Sequence, residues 1–176
     1  MKLFKVFLII FFSIFTIVMV SRFFPHQYHV ERTITINKPV SETFAYLSNY
    51  HNWEQWSLWN KSVDSTLYYF YNKTHDTIGA RQYFYGALLG QGYFETIGYK
   101  KDSSIQFILS VNRSERSAAG VFTFKAIDAH TTELHWIDSG DVGGNPIKRY
   151  MIPFVTKTTA TTLDNGLGSI KAQLEK

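Results

Sequence analysis

The hydrophobic pattern of this 176-residue chain takes three forms. From Val6 to Val20 no charge interrupts an apolar run, VFLIIFFSIFTIVMV, which Leu3 and Phe4 extend on one side and Phe23 and Phe24 on the other. Roughly 20 apolar residues in a helix cross the ~30 Å core of a bilayer. Residues 1–24 are therefore expected to form a membrane anchor, 25–29 a short stem after Pro25, and 30–176 the folded domain. Lys5 and Arg22 can snorkel to the head groups. The rival is a cleaved signal peptide, since the start is basic and the run is short, and the domain would then be secreted. Against it, Met19-Val20-Ser21 and Arg22-Phe23-Phe24 offer no small-x-small cleavage site. Two lysines before the span and one arginine after it favour an N-terminus inside and a domain on the outer, extracytoplasmic side.

Beyond the stem the period becomes two. Val30, Ile34 and Ile36 alternate with Glu31, Thr33 and Thr35, the pattern of a half-buried strand over Tyr28–Asn37. Arg32 shares the apolar face and needs a carboxylate partner there, or a cavity mouth. Alternation resumes after Trp59. Strands are expected at Leu67–Asn72, Ile78–Ala87, Tyr93–Tyr99, Ile105–Val111, Val121–Ile127 and Thr132–Asp138. Gly90-x-Gly92 reads as a turn and 112–117 as a charged loop. Close spacing with short turns predicts an antiparallel meander.

A period near 3.6 governs the rest. Pro39 suits a helix start, and Val40, Phe44 and Leu47 recur at i, i+4, i+7. Trp53, Trp56 and Trp59 follow at three-residue spacing. In a helix they would spread over about 120° of one side, either packed on the sheet or walling a pocket. Pro146 opens the last helical region, where Pro153 is expected to kink or break the helix. Leu163, Leu167, Ile170 and Leu174 form its apolar face. Gly166 and Gly168 cost about 1 kcal/mol each in a helix, so they imply either close approach to the sheet or local loosening. The threonines at 156, 158, 159, 161 and 162 weaken helix propensity further.

Composition narrows the chemistry. Aromatic residues make up 17% of the chain, enough to line a cavity as well as fill a core. There is no cysteine, which excludes disulfides, thiolate nucleophiles and zinc–cysteine sites. The formal charge is +4, but Lys2, Lys5 and Arg22 flank the apolar run. Removing those three from the 18 basic residues leaves 15 against 14 acidic, too even a balance for a nucleic-acid-binding domain. GxSxG and HExxH are absent, and the glycines near 90 and 140–144 lack the strand–GxGxxG–helix context of a phosphate cradle. No cofactor or metal is implied. His26 and His29 read as linker residues, and His130 and His135 need not converge. Asn60-Lys61-Ser62, Asn72-Lys73-Thr74 and Asn112-Arg113-Ser114 match glycosylation sequons, which matter only in a eukaryotic secretory setting. The best acid–base candidates are Asp138, on a strand face with Leu134 and Trp136, and Glu95, beside Tyr93 and Ile97. A buried carboxyl would titrate high enough to shuttle a proton. The bland alternatives are a turn cap for Asp138 and a rim charge for Glu95.

The order of elements, with the phrases VERTITINKPVSETFAYLSNYHNWEQWSLW, IGARQYFYG, TTELHWIDSGD and DNGLGSIKAQLEK, resembles the START-like (SRPBCC) superfamily, in its polyketide cyclase/dehydrase and lipid-transport branch. The resemblance covers Tyr28 to Lys176. It implies an α+β helix-grip fold: a curved antiparallel sheet of about seven strands wraps a long C-terminal helix, and two short helices follow strand 1. The transmembrane helix that precedes the domain is a departure from the family's usual form, as is Phe84 where tryptophan is common. Members enclose lipids, sterols, polyketides or other hydrophobic molecules, and a minority are enzymes with no shared catalytic motif. The expected role is a membrane-tethered domain that binds a hydrophobic small molecule or lipid. Its cavity is expected to be lined by Trp53, Trp56, Phe84, Phe107, Phe122, Phe124, Trp136 and Phe154. A cyclase- or dehydratase-type enzyme and a packed interaction module are the alternatives.

Overall fold

A computed structural model describes residues 2–72, 77–112 and 117–176. The apolar run forms helix α1 (Lys2–Ser21), in which Ser21 alone is buried. It is long and apolar enough to cross a membrane. Strand β1 (Gln27–Ile36) follows after five residues, then α2 (Val40–Ser48) and α3 (Tyr50–Trp56). The meander comprises β2 (Tyr68–Tyr71), β3 (Arg81–Gly86), β4 (Gly90–Lys100), β5 (Ser104–Val111), β6 (Ala118–Ala126) and β7 (Thr132–Asp141), and α4 (Pro146–Leu174) closes the chain.

The strands form one antiparallel sheet in the order β1-β7-β6-β5-β4-β3-β2. The meander supplies six strands in sequence and β1 returns to pair with the last. Inward residues obey the alternation: Val30 and Ile36, Gln82 and Phe84, Ile105 and Phe107, Phe122 and Phe124, and Leu134 and Trp136 are all buried. Helix α4 lies across this face with Ile152, Leu163, Gly166, Leu167 and Ile170 buried. The architecture is the α+β helix grip.

Several boundaries differ from the sequence pattern, each for a physical reason. Strand β1 begins at Gln27, because the β1–β7 ladder continues to the Gln27–Asp141 pair, so the connection from α1 is 22–26 rather than 25–29. Gly90 opens β4 rather than a turn, since it pairs with Gly86 across a loop of Ala87, Leu88 and Leu89. Strand β7 runs through Gly140 to Asp141. Helix α4 continues through Pro153 for 29 residues. Proline there removes one N–H from a helix that is otherwise fixed by its buried stripe. Asn145 caps its start, its Oδ1 accepting from the backbone N–H of Ile147 and Lys148. Arg32 finds the expected partner: its Nε donates to Asp164 Oδ1 of α4 at 2.8 Å. The sequons at Asn72 and Asn112, and the charged loop 112–117, extend into 73–76 and 113–116, outside the described residues.

Candidate functional site

The two short helices are held by local rules. Pro39 O accepts from Thr43 N to start α2, and Asn49 Oδ1 caps α3 by accepting from His51 N. Trp53 then points into the core, only 1% exposed, with its Nε1 donating to Leu47 O at 2.8 Å. Its ring meets Phe94 and Phe107 edge-on, with centroids 5.1 and 4.9 Å away. Trp56 meets Trp136 at a right angle, 5.5 Å between centroids. Pairs of this geometry contribute about 0.5–1.5 kcal/mol each beyond area burial.

Under this cluster the sheet and α4 part to leave a cavity of about 220 Å³. One wall is aromatic: Trp53, Trp56, Trp59, Phe94, Phe107 and Trp136. The opposite wall is the α4 segment bearing Thr158, Thr159, Thr162, Leu163 and Gly166. Gly166 is required by closeness: a Cβ there would lie 2.7 Å from Trp136 Cζ3. The lining residues most open to solvent, Leu58 and Thr158, mark the mouth.

The cavity has one polar end. Tyr28 and Asp138 both line it, and the Tyr28 hydroxyl donates to Asp138 Oδ1 at 2.9 Å. Register brings them together: Val30 faces Asp138 and Tyr28 faces Gly140, so their side chains meet diagonally on the inner face. Burial pushes the Asp138 carboxyl up to about 6, opposed by the Tyr28 hydrogen bond. Burial and the neighbouring carboxylate raise the Tyr28 phenol. The Nε1 groups of Trp56 and Trp136 are buried and find no hydrogen-bond acceptor among the described residues. Leaving such a donor unpaired costs about 1–3 kcal/mol.

The other singled-out residues lie elsewhere. Phe84, Phe122 and Phe124 are core residues outside the lining, because neighbouring rings cover them. Phe154 is 64% exposed, since the buried stripe of α4 passes through Ile152 and Leu163 instead. Glu95 is on the outer face of β4, where Arg81 Nη2 approaches its Oε2 at 2.9 Å, so it is an ion-pair residue with no access to the cavity. His29 and His135 flank Glu31 at 3.9 and 3.4 Å on the outer face. Among the described residues no cluster of His, Asp and Glu could hold a metal ion. Tyr28, Ser57 and the three threonines escaped sequence reasoning. The threonine run was the available signal, readable as a polar stripe as well as poor helix propensity.

No family model matches the chain, and no curated protein matches it. Solved structures do. Protein MLL2253 from Mesorhizobium loti superposes with a TM-score of 0.62 at 13% identity, over 84% of this chain and 97% of its own. The di-domain ARO/CYC BexL of the BE-7585A biosynthetic pathway gives 0.61 at 13% identity, over 84% of this chain and 46% of its own. The Aha1 dimer protein from Colwellia psychrerythraea gives 0.57 at 13% identity, over 84% and 96%. At this identity the likeness is one of fold.

Proposed function

We propose that this chain is a membrane-tethered member of the START-like superfamily that binds a small apolar molecule carrying one hydrogen-bonding end. The observation that carries the reading is the aromatic cavity closed at one end by Tyr28 and Asp138. Its size restricts the occupant. A cavity of about 150 Å³ holds benzene, and drug-sized ligands occupy about 300–1,000 Å³. A volume of about 220 Å³ suits one ring with short substituents, or a stretch of acyl chain, and not a whole phospholipid. The Tyr28 hydroxyl is already committed to Asp138 Oδ1, so a hydrogen-bond donor on the occupant would match the Asp138 carboxyl. The apolar α1 supports the tether.

The test is native mass spectrometry of the full chain released from detergent, followed by identification of any molecule carried. Thr162→Phe fills the cavity from α4 without touching the buried stripe. That variant is expected to lose the adduct while keeping its circular dichroism. Wild type without any adduct, and no tryptophan fluorescence response to monocyclic phenols, ketones or medium-chain fatty acids, would refute binding.

One observation favours a second reading, an enzyme of the cyclase or dehydratase type: a cavity carboxyl whose pKa is about 6 is suited to general acid–base work. The ARO/CYC name of one structural neighbour is compatible with it. If it holds, a molecule incubated with the protein returns lighter by one water after dehydration, or at unchanged mass with a new chromatographic retention after cyclisation, and Asp138→Asn returns it unchanged while still binding it.

A further inference from the structure

Helix α4 begins with an apolar stripe that is exposed among the described residues. Ile147, Met151 and Phe154 are 72%, 50% and 64% exposed. Their spacing of four and three places them within about 60° of one another around the helix. The same line continues one turn on to Thr158, at the cavity mouth.

The position of this stripe is fixed by α1. The Tyr150 hydroxyl donates to the backbone carbonyl of Ile17 at 2.6 Å, and its ring packs at a tilt against Phe24 with centroids 4.7 Å apart. Ile17 is four residues before Ser21, the last residue of α1. At 1.5 Å per residue that is about 6 Å inside the end of the apolar helix. If α1 spans a bilayer, the start of α4 therefore sits at the depth where interfacial helices rest, about 5–10 Å into the boundary of head groups and acyl chains. Phe23, next in sequence to Phe24, is 88% exposed as well. Arg22 and Lys148 are exposed beside it, with the sign that anionic lipid attracts.

We propose that the first two turns of α4 seat in the bilayer interface, with Ile147, Met151 and Phe154 against acyl chains and Lys148 and Arg22 at lipid phosphates. The inference rests on the tethered reading and goes beyond it. The domain is then not free to swing on its stem, and its cavity mouth is held one helical turn from the lipid. A molecule dissolved in the bilayer can reach the mouth without crossing bulk water.

The test uses the natural absence of cysteine. Single variants Ile9→Cys, Ile147→Cys, Met151→Cys, Phe154→Cys and Ile127→Cys of the full chain are labelled with a polarity-sensitive fluorophore. They are then placed in vesicles of phosphatidylcholine with phosphatidylglycerol. Ile127 is exposed at the β6–β7 turn, at the far end of the sheet from Gln27, and serves as the water-facing control. Blue-shifted emission at 147, 151 and 154, quenched by lipids with a nitroxide near the head group, is expected. Ile127 should be unaffected, and Ile9 quenched by a nitroxide deep in the chain. Quenching at Ile9 without any at the three α4 positions overturns the proposal and leaves the tether standing. No quenching at Ile9 overturns both. A blue shift at 147, 151 and 154 without lipid quenching, with disulfide-linked dimers of unlabelled Phe154→Cys, assigns the stripe to a second copy and also overturns it.

Discussion

Asp64 and Asp138 are both held away from bulk solvent, yet their carboxyls titrate in opposite directions, and the difference lies in their donors. Asp64, 4% exposed, accepts from the Thr66 hydroxyl and backbone N–H and from the N–H groups of Leu88 and Leu89. Those bonds, led by the Thr66 hydroxyl, hold it at about 2. Asp138 has the Tyr28 hydroxyl alone to offset its burial and stands at about 6. A native carboxyl at about 6, against roughly 4 when unfolded, takes up a proton on folding between those values, so stability falls as pH rises from 4 to 6. Asp64 and Asp141, both lowered to about 2, act the other way: their stabilisation is present above pH 4 and lost as pH falls toward 2. Thermal stability is therefore expected to peak near pH 4. Asp138→Asn should remove the falling limb and raise Tm at pH 7 by several degrees, the buried charge costing up to about 3 kcal/mol there. A wild-type melting curve unchanged between pH 4 and 7 contradicts the assignment. Asp138 was legible in the sequence because it alternates with Leu134 and Trp136. Its partner Tyr28 fell inside the expected first strand, but the meeting of the two was not legible, because only the long-range register of β1 with β7 sets them diagonally.

Helix α4 separates what local pattern can and cannot show. Its buried stripe followed from the spacing of Leu163, Leu167 and Ile170. Its continuity through Pro153 did not, because packing outweighs one lost hydrogen bond. The two glycines look alike in sequence and differ in space. A methyl on Gly166 would reach 2.7 Å from Trp136 Cζ3, and that indole is wedged by Trp56 and Phe122. A methyl on Gly168 meets nothing within 4 Å. Gly166→Ala is thus expected to destabilise by about 1–3 kcal/mol through overpacking, despite better helix propensity. Gly168→Ala should stabilise by up to about 1 kcal/mol. Urea denaturation of the two variants checks the contrast, and equal effects of the same sign would show that propensity alone decides. Thr158, Thr159 and Thr162 follow the same lesson: weak helix formers by propensity, they line the cavity across from Trp53 and Trp56.

At the scale of the molecule, the sheet and α4 form a core in which α1 has no part. None of the clustered core residues lies before Val30, and the rings of α1 are exposed along its length. The alternation and the apolar stripe were enough to foresee that core, because each strand and helix reports its own inner face. How α1 meets the domain was beyond them, since Tyr150 and Ile17 are far apart in sequence and neither pattern singles them out. The same separation makes a prediction about folding. A chain beginning at Arg22 loses the Tyr150–Ile17 hydrogen bond, about 1 kcal/mol, and no buried apolar side chain. For a domain of this size that shifts Tm by about 2–4 °C. The shortened chain should therefore unfold cooperatively with the same near-ultraviolet circular dichroism as the full one, and should move from the membrane fraction to the soluble fraction on expression. A loss of cooperative unfolding would make α1 a structural element of the fold rather than a tether. Retention in the membrane fraction would show a second membrane-binding surface, for which exposed Ile147, Met151 and Phe154 are the candidate.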